Sequence, residues 1–276
     1  MHTLQANGAN MPAIGLGTWT LKGAQCVDLV SAAIDCGYRH IDTAAMYENE
    51  MEVGEAIRAS GVSRGDLFVT TKVWPTELSE AAFQRSAETS LKRLGLDRVD
   101  LLLIHWPSKT VPLAETIRAL NKAAGEGMTR HIGVANFPTG QLAQAVSLSE
   151  RKLACNQVEY HPYLDQAKVL AACREHGMAL ISYCPLGRGG ALFDERAVRA
   201  AAQAHDRAPA QIVLRWHMQQ DGVGAIPRTS RPERLSENLD VFDFVLSEVE
   251  MAAISGLAGR GQRICDFDFS PEWDPA

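Results

Sequence analysis

The chain has 276 residues, of which 46% are hydrophobic and 22% are charged, and its net charge is −6. This composition is that of a globular protein with a sizeable core. The negative net charge argues against a nucleic-acid partner, because proteins that bind nucleic acids usually carry a basic patch. No apolar segment is long enough to span a bilayer, and the N-terminus lacks a secretory signal, so we expect a cytoplasmic protein with no membrane partner.

The six cysteines show neither a CxxC pair nor the spacing of metal ligands. In a chain of this size such cysteines are typically reduced thiols, most of them in the core. The spacing therefore favours free thiols over a structural disulfide, and we expect no metal site.

The chain opens with Asn7-Gly8 between two short extended segments, which predicts a β-hairpin. Eight short apolar runs follow and predict eight strands. The runs cover residues 14–17, 38–42, 67–71, 99–105, 131–134, 154–158, 179–182 and 223–226. None alternates strictly between apolar and polar residues, which is typical of strands that are buried on both faces.

Longer segments with helical periodicity lie between these runs. They cover residues 79–94, 112–126, 139–148, 167–176 and 209–220. In the first of them Phe83, Ala87 and Leu91 fall on one face, and Gly95 follows where a helix end favours positive φ. Two further helices are predicted outside the simple alternation, at 194–205 and 247–257.

Alternating strands and helices predict right-handed βαβ units and a parallel sheet. Eight such units in roughly 250 residues predict a closed (β/α)8 TIM barrel, an α/β fold with an N-terminal capping hairpin and two extra helices. We expect one domain over residues 1–276. The alternative, an open doubly wound sheet, would need a GxGxxG turn after its first strand, and the chain has Gly-Leu-Gly-Thr-Trp there.

Polar residues stand at or just after the ends of several predicted strands. They are Asp42, Lys72, His105, Asn136, Gln157 and Tyr183. Taken singly, Asp42 could cap a helix and His105 could be a satisfied core histidine. Because active sites of barrels form at the carboxyl ends of the strands, we expect these side chains to converge on one rim.

Tyr47 follows the second predicted strand and adds a possible acid to this set. A tyrosine hydroxyl has an ordinary pKa of about 10 and needs a nearby cation to donate its proton near neutral pH. Lys72 can supply that charge, Asp42 can hold Lys72, and His105 can orient a carbonyl oxygen. The set suits carbonyl reduction if a hydride donor is present, whereas a tyrosine that only packs a loop is the structural alternative.

Five segments resemble the aldo-keto reductase family and run along nearly the whole chain in the family's order. They are residues 37–50, 102–107, 132–137, 156–162 and 226–238. Several independent motifs are far more specific than one short pattern. The resemblance implies that Tyr47 is the proton donor of a tetrad with Asp42, Lys72 and His105, that NADPH is the cofactor, and that the partner is a small carbonyl compound bound by a monomer.

The resemblance also implies a set of cofactor contacts. They are Gly17, Thr18, Trp19, Asp42, Asn136, Gln157, Tyr183, Leu186, Gly187, Arg188, Gly189, Arg228, Thr229, Ser230, Arg234, Glu237 and Asn238. Arginine suits the 2′-phosphate independently, because its guanidinium grips phosphate with two hydrogen bonds. The implied substrate contacts are Trp19, Tyr47, Trp74, His105 and Trp106.

Three departures qualify the resemblance. Ala135 stands where the family usually has serine, and Arg228 stands where it often has lysine. The loop after Trp106 is short, as in the bacterial branch of the family that includes 2,5-diketo-gluconate reductases.

The C-terminal tail, residues 265–273, has two possible placements. It could cover the barrel mouth or pack on the outer wall.

Two alternative functions stay open from the sequence. One is an NADPH-binding redox sensor or regulator with little turnover, which an intact tetrad disfavours. The other is a barrel lyase or isomerase that uses Lys72 as a Schiff base.

Overall fold

The computed structural model describes residues 2–261 and 263–275. An antiparallel hairpin, β1 (Thr3–Ala6) and β2 (Ala9–Pro12), opens the chain. At its turn Asn7 and Gly8 have φ values of 46° and 87°, the left-handed conformation that this tight turn requires. The predicted N-terminal hairpin is confirmed.

Eight parallel strands follow, and each overlaps one of the predicted runs. They are β3 (Leu16–Gly17), β4 (His40–Asp42), β5 (Phe68–Val73), β6 (Val99–Ile104), β7 (Thr129–Ala135), β8 (Leu153–Glu159), β9 (Ala179–Tyr183) and β10 (Val223–Ala225). Each strand pairs with the next in chain order. The sheet closes because Ile14 bridges Ala225, whose carbonyl accepts the Gly15 N–H at 2.9 Å. The (β/α)8 barrel is confirmed.

Eleven α-helices lie in the part of the chain that the structure describes. They are α1 (Gly23–Cys36), α2 (Glu50–Ala59), α3 (Glu80–Leu94), α4 (Leu113–Gly125), α5 (Thr139–Leu148), α6 (Ala167–Glu175), α7 (Ala191–Asp194), α8 (Arg196–His205), α9 (Pro209–Met218), α10 (Glu233–Leu239) and α11 (Glu248–Ser255). The two predicted extra helices are α8 and α11. Four helices, α1, α2, α7 and α10, lie outside the predicted helical segments. None of the helices in residues 2–261 and 263–275 has the length and hydrophobicity of a membrane-spanning segment.

The barrel wall is buried on both faces. Every residue of β5, β6 and β8 is buried, as the lack of strict alternation in their sequences predicts. The wall nevertheless contains Lys72, Gln157 and Glu159. Buried polar groups must find hydrogen-bond partners inside the protein. These three side chains therefore indicate a polar site at the carboxyl ends of their strands.

His217, in α9, is a fully buried histidine. Its Nδ1 lies 2.8 Å from the Val213 carbonyl oxygen, and its Nε2 lies 3.1 Å from that of Tyr160. Burial lowers the pKa of His217 to about 4, although both carbonyl contacts act to raise it. In the unfolded chain a histidine takes up a proton below about pH 6.5, whereas folded His217 does so only near pH 4. The contribution of neutral His217 to the free energy of unfolding is therefore complete above about pH 6.5 and is lost as the pH falls towards about 4.

We therefore expect the free energy of unfolding to fall between about pH 7 and about pH 5, and to fall less in a His217→Gln variant. The two losses should differ by about 2 kcal/mol, since one pKa unit corresponds to about 1.4 kcal/mol. Urea unfolding of both proteins at both pH values measures the difference. Equal losses in the two proteins would contradict it.

Candidate active site

Four side chains meet at the carboxyl ends of β4, β5 and β6. Asp42 ends β4, Lys72 lies near the end of β5, and His105 directly follows β6. Tyr47 ends a 3₁₀ turn, Ala45–Tyr47, that follows β4. Lys72 Nζ donates hydrogen bonds to the Asp42 carboxylate, to the Thr43 carbonyl oxygen at 2.9 Å and to Tyr47 Oη at 3.2 Å. All three donors of the ammonium group are thus used.

The Lys72–Asp42 pair is a buried ion pair, with side-chain exposures of 0% and 1%. Burial acts to lower the pKa of Lys72, but the Asp42 carboxylate and the Tyr47 hydroxyl outweigh it and hold the pKa above its ordinary value. Lys72 therefore keeps its proton at neutral pH. A Schiff-base enzyme needs a neutral lysine as its nucleophile, so this environment disfavours the lyase alternative.

The Tyr47 hydroxyl stays protonated in this environment. Burial raises its pKa, and the charge of Lys72 acts in the opposite direction. Lys72 Nζ also lies 4.8 Å from the centre of the Tyr47 ring. The hydroxyl can therefore hold a proton until it is needed, and the cation beside it lowers the energy of the phenolate that remains after donation.

His105 presents a neutral ring beside Tyr47, with 5.6 Å between the two ring centres. Burial, and then the charge of Lys72, keep its pKa well below the ordinary value. Its Nδ1 is buried and has no hydrogen-bond partner among the described residues. A neutral imidazole carries one N–H, so His105 can act as a donor but not as a cation.

Three of the predicted nicotinamide contacts adjoin the tetrad. Gln157 Nε2 donates to Asp42 Oδ2 at 2.8 Å. Tyr183 Oη donates to Asn136 Oδ1 at 2.7 Å, and Asn136 Nδ2 donates to the His105 carbonyl oxygen at 2.9 Å. The Asn136 backbone N–H donates to the Gln157 carbonyl oxygen at 2.9 Å, so hydrogen bonds connect these three predicted contacts with the tetrad.

Gly17 and Thr18 lie at the end of β3 beside Asp42. Thr18 Oγ1 donates to the Asp42 carbonyl oxygen at 2.9 Å. At Gly17 an added Cβ would stand 2.8 Å from the Ile226 carbonyl oxygen, so only glycine allows β3 to approach the segment after β10 this closely.

The segment after β9 forms a tight loop near the same rim. We call residues 186–189, Leu186, Gly187, Arg188 and Gly189, the cofactor loop. The φ values of its last three residues are 55°, 60° and 75°. Such successive left-handed residues favour glycine and turn backbone N–H groups into a concave surface that suits anions.

The predicted 2′-phosphate site lies between β10 and α10. Arg228 Nη2 donates to Thr20 Oγ1 at 2.7 Å, and its Nε donates to the Trp19 carbonyl oxygen at 3.2 Å. Arg234 pairs with Glu237 within α10. The remaining predicted residues of this region are Thr229 and Asn238, which are buried, and Ser230, which is exposed.

The predicted substrate contacts form an aromatic wall around the tetrad. The ring of Trp19 lies 5.0 Å from that of Tyr47, and the ring of Trp74 lies 5.0 Å from that of His105. Trp106 is almost fully buried, and aromatic rings of the tail pack against it.

The tail covers the mouth of the barrel. The Phe269 ring lies 5.4 Å from both Trp74 and Trp106, and Trp273 lies 6.0 Å from Trp106. Of the two placements left open by the sequence, the structure thus shows the one over the mouth. Phe269 is a lining residue that the sequence did not single out.

Glu159 holds this tail, a role that the sequence did not suggest. The side chain is fully buried at the end of β8 and accepts the backbone N–H groups of Ile264 and Cys265, each at 2.6 Å. His161 Nε2 lies 2.9 Å from the same carboxylate. Two backbone hydrogen bonds to a buried carboxylate fix where the tail meets the barrel.

The chain folds as a closed parallel barrel, and a lysine, a carboxylate, a tyrosine and a neutral histidine meet at the carboxyl ends of its strands. This is the position of the active site in (β/α)8-barrel enzymes. Comparison with known proteins identifies the family. The model of the Aldo/keto reductase family matches residues 13–258. The chain therefore belongs to this family, and the resemblance found in its sequence is confirmed.

Individual relatives match along most of their length. An aldo-keto reductase of Mycolicibacterium vanbaalenii is 48% identical over 248 residues, covering 90% of this chain and 88% of that protein. The methylglyoxal reductase DkgB of Escherichia coli O157:H7 is 40% identical over 267 residues, covering 96% and 99%. A crystal structure of a protein described as a 2,5-diketo-D-gluconic acid reductase B is similar with a TM-score of 0.97 and 45% identity, covering 100% of this chain and 98% of that chain.

Proposed function

We propose that this protein uses NADPH to reduce aldehydes or ketones to alcohols, with Tyr47 as the proton donor. The observation that carries the proposal is the hydrogen bond of 3.2 Å between Lys72 Nζ and the Tyr47 hydroxyl, backed by the buried Asp42 carboxylate. It couples an acid that is protonated at neutral pH to a permanent cation.

The residues around the tetrad suit NADPH. Asn136, Gln157 and Tyr183 offer amide and ring groups for a nicotinamide, the cofactor loop suits a pyrophosphate, and Arg228 with Arg234 suits a 2′-phosphate. Bound NADPH would supply the hydride that the carbonyl carbon receives.

The side chains of the tetrad have separate tasks in this proposal. His105 donates its N–H to the carbonyl oxygen and orients it, and the Tyr47 hydroxyl gives that oxygen its proton. Lys72 stabilises the phenolate, and Asp42 keeps Lys72 charged and in place. The aromatic wall of Trp19, Trp74 and Trp106, closed by Phe269, excludes water from the reacting groups and strengthens these electrostatic effects.

The first substrates to test are small α-dicarbonyl compounds and keto-sugars, because relatives are named for methylglyoxal and 2,5-diketo-D-gluconic acid. The measurement is the loss of NADPH absorbance with a panel of aldehydes, α-dicarbonyls and keto-sugars. Turnover that depends on the carbonyl compound supports the proposal. NADPH binding without turnover on any member of the panel would overturn it in favour of a sensor or regulator.

Replacing Arg228 with alanine should weaken the binding of NADPH and leave the binding of NADH almost unchanged. A hydrogen bond to a charged group is worth about 1.5–3 kcal/mol, so the KM for NADPH should rise by about 10- to 100-fold. Steady-state kinetics with both cofactors measure the ratio. Arg199→Ala, at an exposed position of α8, is the matched control. An equal rise of KM for NADPH and NADH would show that Arg228 does not contact the 2′-phosphate.

A further inference from the structure

Two cysteines meet where the tail crosses the end of β9. Cys184 directly follows Tyr183, the last residue of β9, and stands two positions before the cofactor loop. Cys265 lies in the tail. The two thiols lie close enough to shift each other's pKa, both residues are half-buried, and neither is bonded covalently.

Hydrogen bonds that do not involve the thiols hold Cys265 close to Cys184. Cys265 is held by the hydrogen bond of 2.6 Å from its N–H to Glu159. Glu159 is in turn the register partner of Tyr183 in the parallel pair of β8 and β9. A buried carboxylate therefore places Cys265 opposite the residue that precedes Cys184.

The other cysteines offer no pair of partly accessible thiols, because Cys155 and its neighbour Cys173 are both buried. Cys26, Cys155 and Cys173 are buried, and burial raises the pKa of each thiol. Cys36 is exposed at the end of α1. Cysteine reactivity follows thiolate character and access, so the pair of Cys184 and Cys265 is the reactive site among these residues.

The two thiols differ in a way that suits stepwise oxidation. The neighbouring Cys265 thiol lowers the pKa of Cys184, and Arg188 lowers it further, whereas burial acts to raise it. The neighbouring Cys184 in turn raises the pKa of Cys265, which therefore keeps its proton. A thiol with a lowered pKa beside a partner that keeps its proton is the usual arrangement of an attacking and a resolving cysteine.

We propose that Cys184 and Cys265 form a reversible disulfide in response to hydrogen peroxide and thereby fasten the tail to the start of the cofactor loop. The Cys184 thiolate attacks one peroxide oxygen, the O–O bond breaks, and hydroxide leaves from a Cys184 sulfenic acid. The Cys265 sulfur then attacks the Cys184 sulfur, and its thiol proton leaves with the hydroxyl group as water. The hydroxide takes up the proton that Cys184 had released, so the two thiols lose two electrons in total and peroxide is reduced to two molecules of water.

The disulfide would join two parts of the proposed active site. The tail carries Phe269 against Trp74 and Trp106, and the cofactor loop begins two residues after Cys184. Fastening one to the other restricts both the opening of the mouth and the movement of the loop. This consequence for turnover rests on the proposed function, whereas the thiol chemistry does not.

The test is peroxide treatment of the purified full-length protein, followed by thiol titration after denaturation and by peptide mapping under non-reducing conditions. We expect titratable thiols to fall by two from the six cysteines of the chain, with one linked peptide pair that contains Cys184 and Cys265. Dithiothreitol should restore all six. Cys36→Ser is the matched control and should form the same link, whereas Cys184→Ser and Cys265→Ser should not.

Limited proteolysis gives a second measurement that does not depend on catalysis. Cleavage in the tail should be slower in the oxidised wild-type protein than in the reduced one, and dithiothreitol should reverse the change. A stable sulfinic acid on Cys184, a disulfide between other cysteines, or full retention of thiols would each overturn the proposal.

Carbonyl reduction, compared in each protein with its own untreated sample, separates this proposal from the proposed function. The oxidised wild-type protein should lose most of its activity and regain it with dithiothreitol, while Cys265→Ser should lose little on treatment. Absence of turnover in the untreated protein would instead refute the proposed function and leave the mapped disulfide standing.

Discussion

Replacement of Tyr47 with phenylalanine should lower kcat for carbonyl reduction by about 10²- to 10⁴-fold, the contribution of a positioned general acid. The change removes only the hydroxyl that accepts a hydrogen bond of 3.2 Å from Lys72. The Lys72 ammonium keeps the Asp42 carboxylate and the Thr43 carbonyl oxygen as acceptors, so the ion pair should survive. The loss should therefore appear in kcat and not in folding.

Two measurements separate this effect from structural damage. Titration with NADPH, followed by fluorescence, should give the same Kd for Tyr47→Phe and wild type, since the predicted nicotinamide contacts are Asn136, Gln157 and Tyr183. Urea unfolding should give similar stabilities. If both enzymes reduce the substrate at equal rates, Tyr47 is not the acid, and the proposed mechanism fails.

The barrel could be predicted because each strand is recognisable from a few neighbouring residues in the sequence. The strands are buried on both faces and read as short apolar runs, and the polar residues at their ends are the ones the structure brings together at the rim. The helices α7 and α10 were not predicted because four and seven residues are too few to show a period. For α1 and α2 the alternation predicts only that helices separate the first strands, without bounds.

The tail was not predictable because long-range contacts decide its place. Its sequence mixes aromatic and acidic residues without a period, and nothing in it reveals that Glu159 accepts two of its backbone N–H groups. The meeting of Cys184 with Cys265 depends on the same carboxylate. Motif spacing cannot show a pair that forms only after the barrel has closed and the tail has crossed it.

Replacement of Lys72 with methionine should damage both stability and catalysis. The change leaves the Asp42 carboxylate buried with Gln157 Nε2 as its remaining side-chain partner. Removing one member of a buried ion pair costs about 3–5 kcal/mol, because the other charge stays behind without compensation. The free energy of unfolding should fall by that amount, and kcat should fall as well, since no cation then stabilises the Tyr47 phenolate.

The double variant Lys72→Met with Asp42→Asn distinguishes the two effects. Removing the second charge should recover much of the lost stability, because a neutral amide no longer carries an uncompensated charge into the barrel wall. It should recover none of the lost kcat, because the cation beside Tyr47 is still missing. Recovery of activity together with stability would mean that Lys72 serves the fold alone, and that the tyrosine hydroxyl donates its proton without help from a neighbouring charge.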